Sequence, residues 1–287
     1  MNTASRQFRK VATALKRSSL YFRLKNSWVQ DCYWRITNKQ FINQRRGQVR
    51  FYQALLEGFR GGDLIFDIGA NVGEKSDVFL RIGARVLAVE PDIRAQEILR
   101  AKFLKYRLSP KPVTIVRKAV SDRIAVGTMW VDGPGSALNT LSQKWVDALR
   151  ENRETHERFD PNLDALEFAS RKQVETTTIE QLITEHGSPF FIKIDVEGHE
   201  LNTLRGLRRP VPCLSFEVNL PEFRGEAMQC LDLLRELSTE GRCNYTADCS
   251  RGLFLERWVD PRDLKDLVNR CPESCIEVFW RTPLDGQ

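Results

Sequence analysis

From residue 63 onward, short apolar runs alternate with stretches of helical periodicity. This alternation is typical of βαβ units, and it predicts a mainly parallel sheet with helices on both faces. The predicted strands cover residues 64–68, 86–90, 113–120, 190–195 and 213–218. The predicted helices lie near residues 74–82, 92–105, 199–207 and 223–239, and a closing unit has strands at 244–247 and 276–280 around a helix near 260–270. The sequence therefore predicts an α/β fold.

Two segments interrupt this alternation. Residues 127–141 are rich in turn-forming residues, so we expect a hairpin or a loop over a site. Residues 142–172 form a charged, helical insert that is either a lid or surface decoration. The chain of 287 residues is long enough for one large domain with additions. We divide it into a basic helical arm, a domain and an insert within that domain, at residues 1–50, 51–287 and 127–172.

The positive charge of the chain lies in the N-terminal arm. The net charge is +6, whereas residues 1–50 hold twelve Lys or Arg and one acid, Asp31, and carry +11, which leaves −5 for residues 51–287. Residues 5–25 have the pattern of a basic amphipathic helix that packs on the domain or on a second subunit of a homo-oligomer, or contacts an anionic membrane surface. An acidic domain does not favour a nucleic-acid partner, because phosphate contacts need a basic surface.

The seven cysteines are odd in number and form no CxxC pair, which favours free thiols in a reducing compartment over a disulfide framework. A zinc cluster of Cys243, Cys249, Cys271 and Cys275 is the alternative, although the spacing is loose for it. The sequence contains neither an apolar run of about 20 residues nor the apolar segment of a secretory signal. We expect a cytoplasmic protein without a transmembrane segment.

A glycine-containing loop follows the first predicted strand. It runs from Asp67 through Gly69, Ala70 and Asn71 to Gly73 and leads directly into a helix. Small residues let a ligand approach the backbone, and a helix N-terminus presents free N–H groups. Glu90 ends the next strand, where a carboxylate can accept hydrogen bonds from both hydroxyls of a ribose. The two features together predict a cofactor that contains a nucleoside.

The details of the loop bear on which cofactor this is. A dinucleotide site has the pattern G-x-G-x-x-G, but its middle glycine is replaced here by Asn71. This replacement disfavours an NAD-dependent oxidoreductase, which stays the alternative. S-adenosylmethionine carries no phosphate, and its ammonium and sulfonium charges suit an acid such as Asp67.

Five motifs together resemble the FkbM-family methyltransferases over roughly residues 45–285. The motifs are Asp67-Ile-Gly-Ala-Asn-Val-Gly73, Val89-Glu-Pro-Asp92, Ala119-Val-Ser-Asp122, Lys193-Ile-Asp-Val-Glu-Gly-His-Glu200 and Ser215-Phe-Glu-Val218. The resemblance implies a class I Rossmann-like methyltransferase fold whose seven-stranded sheet ends in an antiparallel strand. It also implies O-methylation of a hydroxyl on a sugar, a glycan or a secondary metabolite.

The resemblance also implies a set of cofactor contacts. Asp67, Gly69, Asn71 and Gly73 would line the methionine part of S-adenosylmethionine, Glu90 would bind the ribose, and Ser121 and Asp122 would meet the adenine edge. Ala70, Pro91 and Asp195 complete the expected cofactor set.

Methyl transfer to an oxygen requires that the acceptor be held in line with the methyl group and that its proton be removed. Asp195, Glu197, His199 and Glu217 are the expected catalytic residues, because they lie at or near the carboxyl ends of the fourth and fifth strands. Lys193, in the middle of its strand, is expected to be paired or to extend toward solvent. A divalent metal could bind among these acids, but the resemblance does not require one and we predict none.

The preferred function is therefore an S-adenosylmethionine-dependent methyltransferase with a small-molecule or glycan acceptor. Besides an oxidoreductase, the alternatives are a nucleic-acid 2′-hydroxyl methyltransferase and a binding module without catalysis. The acids at positions 67, 90, 195 and 197 argue against the binding module, since an idle crevice has no need of unpaired carboxylates.

Overall fold

A computed structural model of the chain describes residues 39–107, 113–151, 168 and 170–283. Its helices are α1 (Lys39–Leu55), α2 (Glu74–Arg81), α3 (Ile93–Arg107), α4 (Gln143–Glu151), α5 (Ile179–His186), α6 (Glu200–Arg205), α7 (Arg224–Leu237) and α8 (Pro261–Asn269). Its strands are β1 (Leu64–Ile68), β2 (Arg85–Val89), β3 (Val113–Val116), β4 (Ala119–Val120), β5 (Val126–Val131), β6 (Ser170–Thr177), β7 (Phe191–Ile194), β8 (Cys213–Asn219), β9 (Arg242–Thr246) and β10 (Cys275–Arg281).

Seven strands form one sheet in the order β3-β2-β1-β7-β8-β10-β9. The pairs from β3 to β8 are parallel, and β10 is antiparallel to both of its neighbours. The order reverses at β1, where the chain first builds outward to β3 and then returns to the other side of β1 with β7. This confirms the class I Rossmann-like fold, including the antiparallel last strand. It also puts the carboxyl ends of β1 and β7 side by side, where parallel sheets bind ligands.

A second sheet, in the order β4-β6-β5, was not predicted. The predicted strand 113–120 is in fact two strands, because β3 pairs with β2 in the main sheet whereas β4 pairs with β6. The prediction of only a turn-rich loop or hairpin for residues 127–141 is also incomplete, since β5 pairs antiparallel with residues 170–175 of β6. The helical insert is confirmed over α4 but is wrong at residues 170–172, which begin β6.

The main sheet is buried on both faces. Its central strands β1 and β7 are buried at every position, and helices pack on either side. On one face, Tyr52 of α1 packs edge to face against Phe79, with ring centroids 5.0 Å apart, and it also contacts Phe191. Since α1 spans residue 50, the helix joins the predicted arm to the domain; the division itself stays a prediction. The predicted helix at residues 5–25 lies outside the described residues.

Six cysteines of the described residues are free thiols, at positions 213, 230, 243, 249, 271 and 275. The four that could have formed a zinc cluster do not come together in a metal-binding arrangement anywhere in these ranges. Within the same ranges, no helix combines the length and the apolar character needed to cross a membrane.

Candidate active site

The loop at residues 69–73 is tied to the end of β2 by its backbone. The N–H groups of Gly69 and Ala70 both donate to the carbonyl of Val89, at 3.0 and 3.1 Å, and the N–H of Gly73 donates to the carbonyl of Ala70 at 2.7 Å. Gly69 has a φ of 79°, and a Cβ at this position would lie 1.7 Å from the carbonyl oxygen of Asp195. Only glycine therefore lets β1 and β7 approach each other at the point where the cavity begins.

Asn71 completes this loop and connects it to Glu90. Its backbone N–H donates to Glu90 Oε2 at 2.9 Å, and its side-chain oxygen accepts the N–H of Val72 at 2.6 Å. Its φ of 44° lies in the left-handed region, which asparagine tolerates better than most residues. All five N–H groups of residues 69–73 are thus used within the protein. A ligand can therefore approach the backbone of this loop but finds no free N–H group within it.

Glu90 is a buried carboxylate that two backbone groups hold in place. Oε2 accepts the N–H of Asn71, and Oε1 accepts the N–H of Asp92 at 2.8 Å. Burial raises the pKa of Glu90 to about 7, although these two hydrogen bonds oppose the shift. Each oxygen keeps further acceptor capacity, and Glu90 lines the cavity. The residue is therefore positioned to accept two donors from one ligand.

A cavity that opens to solvent lies at the carboxyl ends of β1, β2 and β7, with about 670 Å³ of space when the solvent at its mouth is included. The predicted site residues that line it are Gly69, Asn71, Glu90, Pro91, Asp195, Glu197 and His199. The predicted residues that do not are Asp67, Ala70, Gly73, Ser121, Asp122 and Glu217. Three strand ends therefore contribute to one cavity, although the end of β7 is more than a hundred residues of sequence from the ends of β1 and β2.

Three carboxylates lie together at the β7 side of this cavity. One carboxylate oxygen from each of Asp195, Glu197 and Glu217 lies within 4.8 Å of the others. Burial, reinforced by the charge of Asp195, raises the pKa of Glu217 to about 8, and the same two causes raise the pKa of Glu197 well above its ordinary value. Glu197 has a φ of 52°, so its backbone adopts the left-handed conformation in the turn after β7. We call these three residues the carboxylate group.

Residues 67–246 match the family model described as the methyltransferase FkbM domain, and this segment is more than half of the chain. The chain belongs to the FkbM methyltransferase family. The resemblance found in the motifs is thereby confirmed, and the cofactor of such a methyltransferase is S-adenosylmethionine. No curated protein matches the chain in sequence.

Several solved methyltransferases are similar to this FkbM chain in structure. A SAM-dependent methyltransferase from Agrobacterium tumefaciens matches with a TM-score of 0.41 and 10% identity, over 84% of this chain and 62% of that one. A TehB-like SAM-dependent methyltransferase from Corynebacterium glutamicum matches with a TM-score of 0.41 and 9% identity, over 88% of this chain and 100% of that one. A precorrin-6y C5,15-methyltransferase from Geobacter metallireducens has a TM-score of 0.39 and 10% identity, over 83% of this chain and 86% of that one. The chain thus spans less than two thirds of the Agrobacterium protein.

Lys193 is a buried cation beneath the site of this FkbM methyltransferase. Its side chain is 1% exposed, and Nζ lies 3.1 Å from Asp195 Oδ2 and 3.7 Å from Glu277 Oε1. Burial alone would lower the pKa of Lys193, but the charges of Asp195, Glu277 and Glu217 raise it well above its ordinary value. The expectation of a paired lysine is confirmed, and Lys193 stays charged next to the carboxylate group.

His199 lines the cavity but is poorly suited to act as a base. Its Nε2 lies 3.0 Å from Ser121 Oγ, and its Nδ1 lies 3.4 Å from the side-chain nitrogen of Asn202. Because an amide nitrogen can only donate, Nδ1 is the acceptor and Nε2 carries the proton. Burial lowers the pKa of His199 to about 4, although the charge of Asp122 opposes the shift. The imidazole is therefore neutral near pH 7 and its lone pair is engaged.

The residues that do not line the cavity support those that do. The buried carboxylate of Asp67 accepts a hydrogen bond from Ser76 Oγ at 2.5 Å, which ties the end of β1 to α2, and burial raises the pKa of Asp67. A Cβ on Gly73 would lie 2.4 Å from Leu99 of α3, so this glycine is required by helix packing. Ser121 meets the site through its contact with His199 and donates to Asp122 Oδ1 at 3.2 Å.

Sequence reasoning missed one wall of the cavity and one internal support. The wall is formed by Lys118, Ser136, Ala137, Asn139, Thr140 and Leu141. Only the density of turn-forming residues at 127–141 indicated that this segment covers a site. The support is the carboxylate of Glu200, whose Oε1 accepts the N–H groups of Val196 and Gly198 at 3.1 and 3.2 Å and so fixes the turn that carries Glu197.

Proposed function

We propose that this FkbM methyltransferase transfers the methyl group of S-adenosylmethionine to a hydroxyl oxygen of a small molecule or a glycan. The observation that carries this proposal is that one cavity is lined by Gly69 and Asn71 of the loop, by Glu90, and by Asp195 and Glu197 of the carboxylate group. A nucleoside cofactor needs the first two, and an acceptor hydroxyl needs a group that can orient it and take its proton.

The residues of the cavity fit S-adenosylmethionine better than a dinucleotide. The N–H groups of residues 69–73 are all occupied, so this loop cannot cradle a pyrophosphate. The cavity instead offers the carboxylates of Glu90, Asp195 and Glu197, which suit a ligand with ribose hydroxyls and positive charge. In this proposal, Glu90 binds the ribose and Gly69 and Asn71 contact the methionine part. When bound, the cofactor supplies an activated methyl group on its sulfonium.

The protein's own contribution to the reaction is to position and desolvate the acceptor. Asp195 and Glu197 line the cavity, and Lys193 and Glu200 hold them from beneath. We assign Asp195 to the orientation of the acceptor hydroxyl, and the carboxylate group as a whole to the uptake of its proton. Positioning of this kind supplies a large part of the rate in bimolecular transfers.

A small molecule or a glycan is a better acceptor than a nucleic acid. The residues after position 50 carry a net charge of −5, and the acids of the carboxylate group stand at the acceptor side of the cavity. A polyanion would be repelled there. Transfer of the labelled methyl group to RNA by the full chain would contradict this choice.

The experiment that tests the function uses the purified full chain and S-adenosylmethionine with a labelled methyl group, supplied with extracts of glycans and metabolites. We expect label to enter a hydroxyl-bearing compound, and the Asp195→Asn variant to lose most of this transfer while it still binds S-adenosylhomocysteine in isothermal titration. Glu236→Gln, an exposed acid on α7, is the matched control and should behave as the wild type. Unchanged transfer by Asp195→Asn would remove the role assigned to Asp195, and failure to bind the cofactor would refute the function.

A further inference from the structure

The carboxylate group lies on a polar face of the sheet. In β8, Ser215, Glu217 and Asn219 alternate with apolar residues and therefore point to the same side. Across the strand pair, Glu217 lies opposite Glu277, and Asn219 lies opposite Cys275. Burial, and after it the charge of Glu217, raise the pKa of the Cys275 thiol, which places the row that contains Asn219 next to Glu217. The acids thus share one compartment with a buried amide.

Two oxygen atoms in this compartment are buried without a partner. Asn219 is 3% exposed and its Oδ1 accepts no hydrogen bond, and Glu197 Oε2 is equally enclosed and unpartnered. Buried acceptors are satisfied in nearly all proteins, so these two unsatisfied oxygens indicate a missing donor or cation. They come from different elements, the turn after β7 and the strand β8, and they are linked through Glu217, which shares its face of β8 with Asn219 and has a carboxylate oxygen within 4.8 Å of one of Glu197.

In the described part of the chain, the acids of the carboxylate group and Glu277 outnumber the basic side chains that contact them. Among the described residues, Lys193 Nζ is the cation in contact with Asp195, and it is shared with Glu277. Within the described ranges no lysine, arginine or histidine forms an ion pair with Glu197 or Glu217, although both are largely removed from water. Carboxylates that share a site without a counterion repel each other, and a divalent cation removes this repulsion.

We propose that Asp195, Glu197, Glu217 and the side-chain oxygen of Asn219 bind a hard divalent cation such as Mg²⁺, Mn²⁺ or Ca²⁺. All four donors are oxygens, which these ions prefer over the nitrogen and sulfur that zinc and copper favour. Two ligands on opposite sides of one ion are separated by about 4.2 Å for Mg²⁺ and about 5 Å for Ca²⁺. Neighbouring ligands of one ion lie closer together than opposite ones, and the carboxylate oxygens, all within 4.8 Å of one another, are near enough for small side-chain movements to bring them to a shared ion.

Such an ion would lie in the wall of the cavity, because Asp195 and Glu197 line it. Its remaining coordination positions would then face the acceptor, where a cation can hold a hydroxyl oxygen and favour loss of its proton. This role rests on the proposed function, whereas binding of the ion does not.

The test is a titration of the EDTA-treated full chain with Mn²⁺, in which the electron paramagnetic resonance signal reports the free ion. We expect one Mn²⁺ bound per chain, with competition by Mg²⁺ or Ca²⁺. Glu197→Gln and Glu217→Gln should each weaken binding at least tenfold, and the exposed control Glu236→Gln should not change it. Melting temperatures show whether each variant is folded. Asn219→Ala tests the site through its fourth ligand and should weaken Mn²⁺ binding several-fold.

Two results would overturn the metal site: no Mn²⁺ bound at millimolar concentration with or without S-adenosylhomocysteine, or binding that is unaffected by the Glu197→Gln and Glu217→Gln changes combined. The same samples separate this inference from the proposed function. If the chain transfers the labelled methyl group in EDTA and binds no Mn²⁺, the metal site is refuted and the methyltransferase function stands. If the chain binds Mn²⁺ but not S-adenosylhomocysteine, the metal site stands and the proposed function is refuted.

Discussion

Glu90 should make cofactor binding depend on pH close to neutrality. Its carboxylate must be ionised to accept two ribose hydroxyls, but burial raises the pKa of Glu90 to about 7, and the charges of Asp92 and Asp67 add to this effect. The ionised fraction of the free protein then falls from about nine tenths at pH 8 to about one tenth at pH 6. We therefore expect the Kd for S-adenosylhomocysteine to rise about tenfold over this interval, which corresponds to about 1.4 kcal/mol.

The assay is isothermal titration at pH 6, 7 and 8 with the wild type, Glu90→Gln and the control Glu236→Gln. Glu90→Gln should bind more weakly at pH 8, because an amide offers one acceptor oxygen to the two backbone N–H groups of Asn71 and Asp92. Its affinity should change little between pH 8 and pH 6, whereas the control should keep the wild-type slope. The reasoning is refuted if Glu90→Gln retains both the affinity and the pH slope of the wild type.

The same residue predicts a change in stability with the opposite sign to that of a salt-bridged acid. In the unfolded chain Glu90 ionises near pH 4.5, whereas the folded protein keeps it protonated up to about pH 7. Folding is therefore disfavoured progressively as the pH rises from 4.5 to 7, by about 3 kcal/mol in total for this group. Melting curves of the cofactor-free protein should show that Glu90→Gln recovers stability relative to the wild type at pH 8 but not at pH 4.5.

Three further changes test the scaffold of the site. Gly69→Ala should lower the free energy of unfolding by more than about 2 kcal/mol and abolish cofactor binding, because a Cβ would lie 1.7 Å from the Asp195 carbonyl oxygen. Denaturant unfolding and isothermal titration measure the two effects, and normal binding would contradict the close approach of β1 and β7. Lys193→Met should cost about 3 kcal/mol, since it removes the cation shared by the buried carboxylate of Glu277 and the partly exposed carboxylate of Asp195. Glu277→Gln in the same chain should restore part of the loss, and a neutral effect of Lys193→Met would show that the acids are not charged. Thr178→Ala removes the side-chain cap of α5 and should cost about 1 kcal/mol with unchanged cofactor affinity.

The main sheet could be predicted because its strands are apolar on both faces. Strands β1, β7 and β8 are buried at nearly every position, and their predicted bounds differ from the observed ones by at most one residue. Strand β6, in contrast, reads Ser-Arg-Lys-Gln-Val-Glu-Thr-Thr and exposes most of its length, so hydrophobic patterning does not reveal it. The missed helix α5 did have a signal, since Thr178 and Gln181 form the ends of a capping-box pattern.

The residues of the site also differ in whether the sequence alone reveals them. Gly69, Asn71 and Glu90 could be predicted because each lies at a strand end that the local pattern reveals. Thr140 could not, because the contact of its hydroxyl with the Glu197 carbonyl, at 2.7 Å, joins residues 57 positions apart. The support of Glu277 is still more distant, since Tyr52 donates to it from 225 residues away. Contacts of this kind arise from sheet order, and a periodicity within one segment carries no information about them.

The polar face of the sheet connects the site to the start of the domain. Glu277 accepts hydrogen bonds from Ser215 Oγ at 2.7 Å and from Tyr52 Oη at 3.3 Å. These contacts satisfy the carboxylate that shares Lys193 with Asp195, so the position of Asp195 depends on residues of β10 and α1 as well as on β7. Because α1 begins at Lys39 and supplies Tyr52, a boundary drawn by charge at residue 50 cuts through the helix that supports the site. The charge of the arm and the packing of α1 are therefore separate properties of one continuous segment.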